Sequence, residues 1–318
     1  MKLPDLSSLF RRSGNHAGWV AVCPGRRGVY LAQVEYSGAR PCAVECAFHP
    51  VTDITPSVLE KICREMRIAG RQVTTLLAPG EYQFLMVDAP NVPASELKTA
   101  IRWRIKDMLS YHVDDATIDV LQIPTGKYGA GRQQSIFAVA ASNVTIQKRI
   151  DLFEKAGLKL NVIDIPEMAQ RNIAALFEED EHALALICFN DAGGMLTVTA
   201  GGELYLSRRI EITLGQLGDA NNKLRGQNLE RVELEVQRSL DYFGRQYHYI
   251  PLRKVILAVP EGTGLEARVA EVAGLPVERL DLAQVMDISA VPDLARGDFP
   301  VEALHALGAA MRQERKML

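Results

Sequence analysis

Twice along the chain, three strand-like runs joined by tight turns lead on to a helix, and this repeated order limits the fold more than any other feature. The first set is Gly18–Cys23, Val29–Tyr36 and Cys42–Phe48, parted by the turn Pro24-Gly25-Arg26-Arg27-Gly28 and by Ser37-Gly38. A helix over Pro56–Ile68 follows, with Leu59, Ile62, Cys63 and Met66 recurring at three- and four-residue steps. The second set is Ala183–Phe189, Met195–Ala200 and Glu203–Ile210, again with glycine turns. Its long helix, about Leu229–Tyr247, carries Leu229, Val232, Val236, Leu240, Phe243 and Tyr247 on one face. Arg231–Glu235 and Asp241–Arg245 are spaced as i,i+4 ion pairs on the other. A duplicated order of this kind in 318 residues predicts an α/β protein of two lobes.

Between the two sets the pattern changes. Strands are expected at Gln72–Ala78 and Tyr82–Val87. A helix over Ser95–Leu109 then carries Leu97, Ile101, Ile105 and Met108 on one stripe, with Arg102, Arg104 and Lys106 away from it. Strands Thr117–Ile123 and Ser135–Ala141 flank the glycine-rich stretch TGKYGAGRQQ. That stretch lacks GxxxxGK[ST] and leads into no helix, so it reads as a hairpin loop and not a phosphate loop. Helix Asn143–Ala156, with Asn143 as its cap and Gly157 at its end, precedes strand Leu158–Ile165 and helix Pro166–Phe177. The acidic turn Glu178–Glu181 divides the chain near its middle. Strand Lys254–Val259, helix Leu265–Ala273, strand Pro276–Leu280 and helix Val301–Gln313 complete the order.

Charge excludes one class of partner. With 36 Lys+Arg against 39 Asp+Glu, the net charge of -3 provides no basic field for nucleic acid. Residues 1–72 hold 10 Lys/Arg against 6 Asp/Glu, a mild basic front that reads as solvated surface or as a lean toward an anionic membrane face. The longest apolar runs, such as Ala183–Phe189, fall well short of the ~20 residues of a spanning helix. Residues 1–15 place Leu3, Leu6, Leu9 and Phe10 on one helical face ahead of Arg11 and Arg12, either a frayed tail or a short docking peptide. The five cysteines form no CxxC pair. Cys42 and Cys46, at strand spacing, are expected to share a buried face as reduced thiols. The expected location is the cytoplasm. The six histidines form no triad or metal motif and read as structural or surface groups.

Four longer stretches carry a resemblance to a known family. These are SELKTAIRWRIKDMLSYHVDDATIDVLQIP (Ser95–Pro124), QKRIDLFEKAGLKLNVIDIPEMAQRNIAALFEE (Gln147–Glu179), GGELYLSRRIEI (Gly201–Ile212) and LERVELEVQRSLDYFGRQY (Leu229–Tyr247). They resemble the PilM group of pilus-assembly proteins in the actin-like superfamily, in particular those of MSHA-type type IV pili. The resemblance spans nearly the whole chain after residue 15. It implies an actin-like (ribonuclease H-like) fold: a first lobe over 16–177, a small α/β unit inserted at about 89–141, and a second lobe over 178–318 with a helical part at about 214–250. It also implies a place on the cytoplasmic face of the inner membrane. There a groove would hold the short cytoplasmic N-terminus of a bitopic, single-span pilus protein, and Arg102, Trp103 and Arg104 are candidate partner contacts.

Many relatives bind ATP between the lobes. In them the first strand ends in Asp-x-Gly followed by small hydroxyl residues. Here the same place reads Cys23-Pro24-Gly25-Arg26-Arg27-Gly28, and a thiol is a poor ligand for hydrated Mg²⁺. The second turn, Asp191-Ala192-Gly193-Gly194, keeps the pattern. Asp164 and Glu167 are candidate water- or metal-holding acids, and Gly262 and Gly264 stand where relatives carry a glycine pair beside the adenosine. The expectation is therefore a scaffold that is not an enzyme and needs no cofactor. Two alternatives stay open. One is an ATP/Mg-binding switch or weak ATPase, or a site in which Arg26 and Arg27 grip phosphate without metal. The other is a nucleotide-independent polymer.

Overall fold

The computed structural model describes residues 18–38, 40–68, 70–124 and 134–313; the leader 1–15 and the loop 125–133 lie outside them. In the first lobe, β1 (Val20–Pro24), β2 (Gly28–Ser37) and β3 (Arg40–Pro50) form an antiparallel meander. Helix α1 (Pro56–Glu65) starts at Thr55, whose hydroxyl accepts from the Val58 amide at 3.3 Å, and buries Leu59, Ile62 and Cys63. It stops short of Ile68 because Arg67 turns left-handed at φ 50°. Strand β4 (Val73–Leu76) runs parallel to β1.

The chain then leaves this sheet. β5 (Tyr82–Asp88) pairs with β7 (Ser135–Ser142), which also pairs with β6 (Ala116–Gln122), and α2 (Leu97–Ile105) covers one face through Leu97, Ile101 and Ile105. The inserted unit therefore begins at Tyr82 and not near residue 89, because β5 belongs to its sheet. Its other face, through Phe84, Met86, Leu121, Ile123 and Phe137, packs into the core of the second lobe. Helix α3 (Asn143–Lys155) is capped by Ser142, whose hydroxyl accepts from the Thr145 amide at 3.1 Å; Asn143, the expected cap, is the first helical residue. Strand β8 (Leu160–Asp164) returns to the first sheet beside β4, and α4 (Pro166–Ala174) follows.

The second lobe repeats the first. β9 (Ala183–Asn190), β10 (Gly193–Ala200) and β11 (Glu203–Ile210) form the meander, then come α5 (Leu214–Leu217), α6 (Asn222–Gln246), β12 (Leu252–Ala258), α7 (Leu265–Ala273), β13 (Val277–Arg279) and α8 (Phe299–Ala310). The two large sheets have orders β3-β2-β1-β4-β8 and β11-β10-β9-β12-β13, the same arrangement twice, and they are separate sheets. Helix α6 starts seven residues before the expected Leu229 because Asn221 caps it, accepting from the amides of Lys223 and Leu224. Its expected i,i+4 pairs are replaced. Glu235 meets Arg238 at 3.5 Å, and Arg245 donates to the Asp241 carbonyl at 3.2 Å.

A β-bulge corrects the reading of Cys42 and Cys46. The β2–β3 register shifts at Gln33/Val34, which adds a residue to β3 between the two cysteines. Pro41 and Ala43 are buried on one side of the shift and Cys46 on the other. The bulge thus reverses the phase, and Cys42 is only half-buried. All five cysteines are free. No helix among the described residues is long and apolar enough to cross a membrane.

The lobes are joined by exchanged helices. α4 follows a first-lobe strand yet packs on β9, β10 and β11; α8 ends the second lobe yet packs on β1 through β4. α8 is apolar except at Glu302 and His305 and buried from Pro300 through Ala310 at most positions, as a helix enclosed by two sheets and another helix must be. The two helices touch at Gly308, where a Cβ would lie 2.0 Å from the Ala169 carbonyl oxygen; Asn172 fixes the crossing by donating to the Gly308 carbonyl at 2.8 Å. Gly308→Val should therefore lower stability by about 3 kcal/mol or more, read as the urea midpoint. Gly244→Ala, in an open stretch of α6 with nothing within 4 Å, should be neutral or stabilising by up to about 1 kcal/mol. Equal effects would refute the crossing as described.

Candidate functional site

The two hairpin turns face each other across a cleft of about 260 Å³ between the lobes. One turn is Gly25–Gly28, closed by the Gly25 amide donating to the Gly28 carbonyl at 2.8 Å, with Arg26 and Arg27 at its tip. The other joins β9 to β10, where Asn190 pairs with Gly193 and its side chain accepts from the Ala192 amide at 2.8 Å. Gly194 is required by packing: a Cβ there would sit 2.3 Å from the buried Phe189 ring. Gly25, Arg26, Arg27, Asp191, Gly193 and Gly194 are thus brought together in one cleft. Gly262 and Gly264 are not among the cleft-lining residues; both adopt left-handed backbone in the turn that leads into α7.

Arg27 bridges the cleft. Its guanidinium pairs with Asp191 on the opposite turn and with Glu302 on α8, the latter at 2.9 Å. The Tyr30 hydroxyl donates to the other Glu302 oxygen at 3.0 Å. The hydrogen bond to Glu302, reinforced by the Asp191 charge, holds the Arg27 guanidinium above its ordinary pKa. The arginine at the place expected to grip phosphate is therefore already engaged by two carboxylates. Burial pushes the Cys23 thiol up to about 12, so it stays protonated at neutral pH and cannot serve as a hard anionic ligand.

The two other candidate acids, Asp164 and Glu167, are not among the cleft-lining residues, and both are engaged. One Asp164 oxygen accepts from Arg312 at 2.6 Å and the other from the Ile165 amide at 2.9 Å, while the Arg312 guanidinium also lies over the Trp19 ring. Glu167 is fully buried. One of its oxygens accepts from Tyr82 on β5 at 2.5 Å, the other from Arg209 on β11 at 2.9 Å. This network ties the inserted unit, α4 and the second lobe together, and burial raises the Tyr82 phenol far above its ordinary pKa. Among the described residues no cluster of His, Cys, Asp and Glu is placed to hold a metal. The donor set of the cleft does not fit a hydrated Mg²⁺–triphosphate: a protonated thiol stands at the first turn, and the two acids that line the cleft, Asp191 and Glu302, are both already paired with Arg27.

His305 on α8 lines the same cleft and was not singled out from the sequence, although Glu302 and His305, the two polar residues in the apolar run VEALHALGAA, were its signal. Its Nε2 meets the Gln170 side-chain oxygen at 3.2 Å, and the Gln170 amide in turn donates to the Leu186 carbonyl and to Thr197 at 2.8 and 3.0 Å. In the inserted unit Trp103 is 64% exposed. Its neighbours are engaged: Arg102 pairs with Asp114 at 3.0 Å, and Arg104 donates to the Asp88 carbonyl at 2.5 Å.

No protein-family model matches the chain, and neither does any curated protein. Solved structures do. A chain of the PilM–PilN type IV pilus biogenesis complex is 18% identical with a TM-score of 0.72, over 93% of this chain and 98% of its own. The cytoplasmic domain of EpsL, an inner membrane component of the type II secretion system of Vibrio cholerae, is 14% identical at a TM-score of 0.47, over 76% of this chain and 83% of its own. A Bacteroides thetaiotaomicron protein with an actin-like ATPase fold is 8% identical at 0.48, over 91% and 98%. The fold is thus the actin-like α/β fold expected from the sequence.

Burial pushes the His305 imidazole down to about 4, and the nearby Arg209 charge adds to this. The folded protein holds it neutral, whereas the unfolded chain takes up its proton near 6.5. Its contribution is complete above pH 6.5 and is lost as the pH falls through 4. Between pH 7 and about 4.5 the wild type should lose about 2 kcal/mol more stability than His305→Gln, whose amide does not titrate. Parallel pH profiles of the urea midpoint would refute the assignment.

Proposed function

We propose that this protein is a non-hydrolysing scaffold of a type IV pilus assembly platform, at the cytoplasmic face of the inner membrane. It docks the cytoplasmic N-terminal peptide of a single-span membrane partner with its first lobe and inserted unit. The observation that carries the reading is the match to the PilM–PilN complex over 93% of the chain, which takes in both lobes and the insertion. The long motifs quoted above resemble those of MshI, the biogenesis protein of MSHA-type pili, and suggest that system. An extended peptide would add backbone strand pairing to a few apolar pockets, with the exposed Trp103 as a contact.

The engaged state of Arg27, Asp164 and Glu167 favours a scaffold over an ATP-driven switch. Calorimetric titration with ATP and Mg²⁺ should give no binding at micromolar concentration and no phosphate release. Micromolar binding that Asp191→Ala abolishes, with phosphate release, would establish the switch instead. For docking, the protein should leave the membrane fraction when the single-span pilus genes are deleted, and Trp103→Ala should weaken capture of the partner about tenfold, a loss of about 1.4 kcal/mol. Unchanged membrane association in the deletion strain would overturn the reading.

A further inference from the structure

The duplicated sheets end in two equivalent strands, and among the described residues only one has its outer edge paired. β3 is the outer strand of the first meander and β11 that of the second. The β3 edge is sealed from within. The Ala43 amide donates to the Asp287 carbonyl at 2.8 Å, and the Asp287 amide to the Pro41 carbonyl at 2.9 Å. Arg40 holds the same segment by donating to the Ala283 and Met286 carbonyls. Among the described residues no strand pairs with the outer edge of β11.

A groove of about 400 Å³ runs between that edge and α6. Its helix wall is the stripe Arg231, Leu234, Glu235 and Arg238, spaced so that all four lie on one face. Its strand wall is Arg208 and Ile210 with Glu211 just beyond the strand, so among the lining residues four arginines face two glutamates. Leu234 is 44% exposed. Among the described residues neither Arg208 nor Arg231 has an ion-pair partner, while Arg238 shares Glu235 at 3.5 Å. Arg209 also touches the groove but is already committed to Glu167. An isolated charge on an edge strand commonly guards it against pairing. Here the charges line a channel with a strand on one side, a helix on the other and an apolar side chain open between them. That is the geometry in which a sheet edge accepts an added strand.

We infer that the groove between β11 and α6 docks an extended, acidic segment of a partner protein, which adds a strand to β11 and sets its carboxylates against Arg208, Arg231 and Arg238. Backbone pairing supplies the register, Leu234 packs against an alternate apolar side chain, and the arginines select acidic residues and reject basic ones. The site lies on the second lobe, apart from the first-lobe docking proposed above, so either can fail without the other. An acidic segment is favoured over a lipid surface because a concave slot beside an open strand suits a single extended chain better than a flat layer of headgroups.

The test uses the full chain and a fluorescein-labelled, acetylated octapeptide of alternating Glu and Val. Fluorescence anisotropy should show saturable binding that the Lys–Val counterpart lacks and that salt weakens. Arg208→Glu/Arg231→Glu should weaken binding at least about tenfold with an unchanged unfolding midpoint, and a peptide N-methylated along the pairing edge should bind at least about tenfold more weakly. In the wild type, hydrogen exchange should slow at the β11 amides when the Glu–Val peptide is added, which decides the matter even if the double variant does not fold. Absence of saturable binding up to about 1 mM would overturn the proposal. So would binding that is indifferent to the charge reversal or to N-methylation. Sedimentation with phosphatidylglycerol vesicles that the charge reversal abolishes, without peptide binding, would assign the groove to a membrane and also overturn it.

Discussion

The approach of α4 to α8 at Gly308 sets the geometry of everything between the lobes. Each helix comes from one half of the chain and packs on the sheet of the other, so one apolar cluster runs from Ala21, Val34 and Ala43 through Ala169 and Leu304 to Leu186 and Ile256. The helices can approach this closely because position 308 has no side chain. A larger residue would hold them apart and would move α8, and with it Glu302, His305 and Arg312, away from their partners. The ion pairs of the cleft therefore depend on a packing contact. Isolated half-exposed pairs contribute little by themselves, whereas pairs held in place by a rigid helix crossing incur little further entropic cost.

Within that frame the cleft is satisfied by the protein's own groups. Arg27 links the two turns, and the acids outside the cleft lining are paired too: Asp164 with Arg312, and Glu167 with Arg209 and the Tyr82 hydroxyl. Glu167 also explains how the inserted unit is fixed. Tyr82 is the first residue of the strand that opens that unit, and Arg209 lies on the far lobe, so a single buried carboxylate ties three parts of the molecule together. A carboxylate in that position would be costly without both partners. The charged groups of the cleft are fitted to one another, and the protonated thiol of Cys23 stands beside them.

Local patterns determined much of this protein. Alternation of apolar residues gave the strands of both meanders, three- and four-residue spacing gave the helices, and glycine turns gave the hairpins, because each depends on neighbours close in sequence. The duplicated order was enough for two lobes, and the residues of both turns line one cleft. Features fixed by one unexpected residue were not legible. The bulge in β3 reversed the phase between Cys42 and Cys46, Arg67 ended α1 early, and Asn221 began α6 early. Only the tertiary structure decided that Arg27 meets Asp191 and Glu302, that Glu167 is buried between Tyr82 and Arg209, and that the β3 edge is paired while no described strand pairs with the outer edge of β11. Those outcomes follow from how closely two lobes can approach. That distance is set by the volume of side chains at a helix crossing, which no local pattern of the sequence encodes.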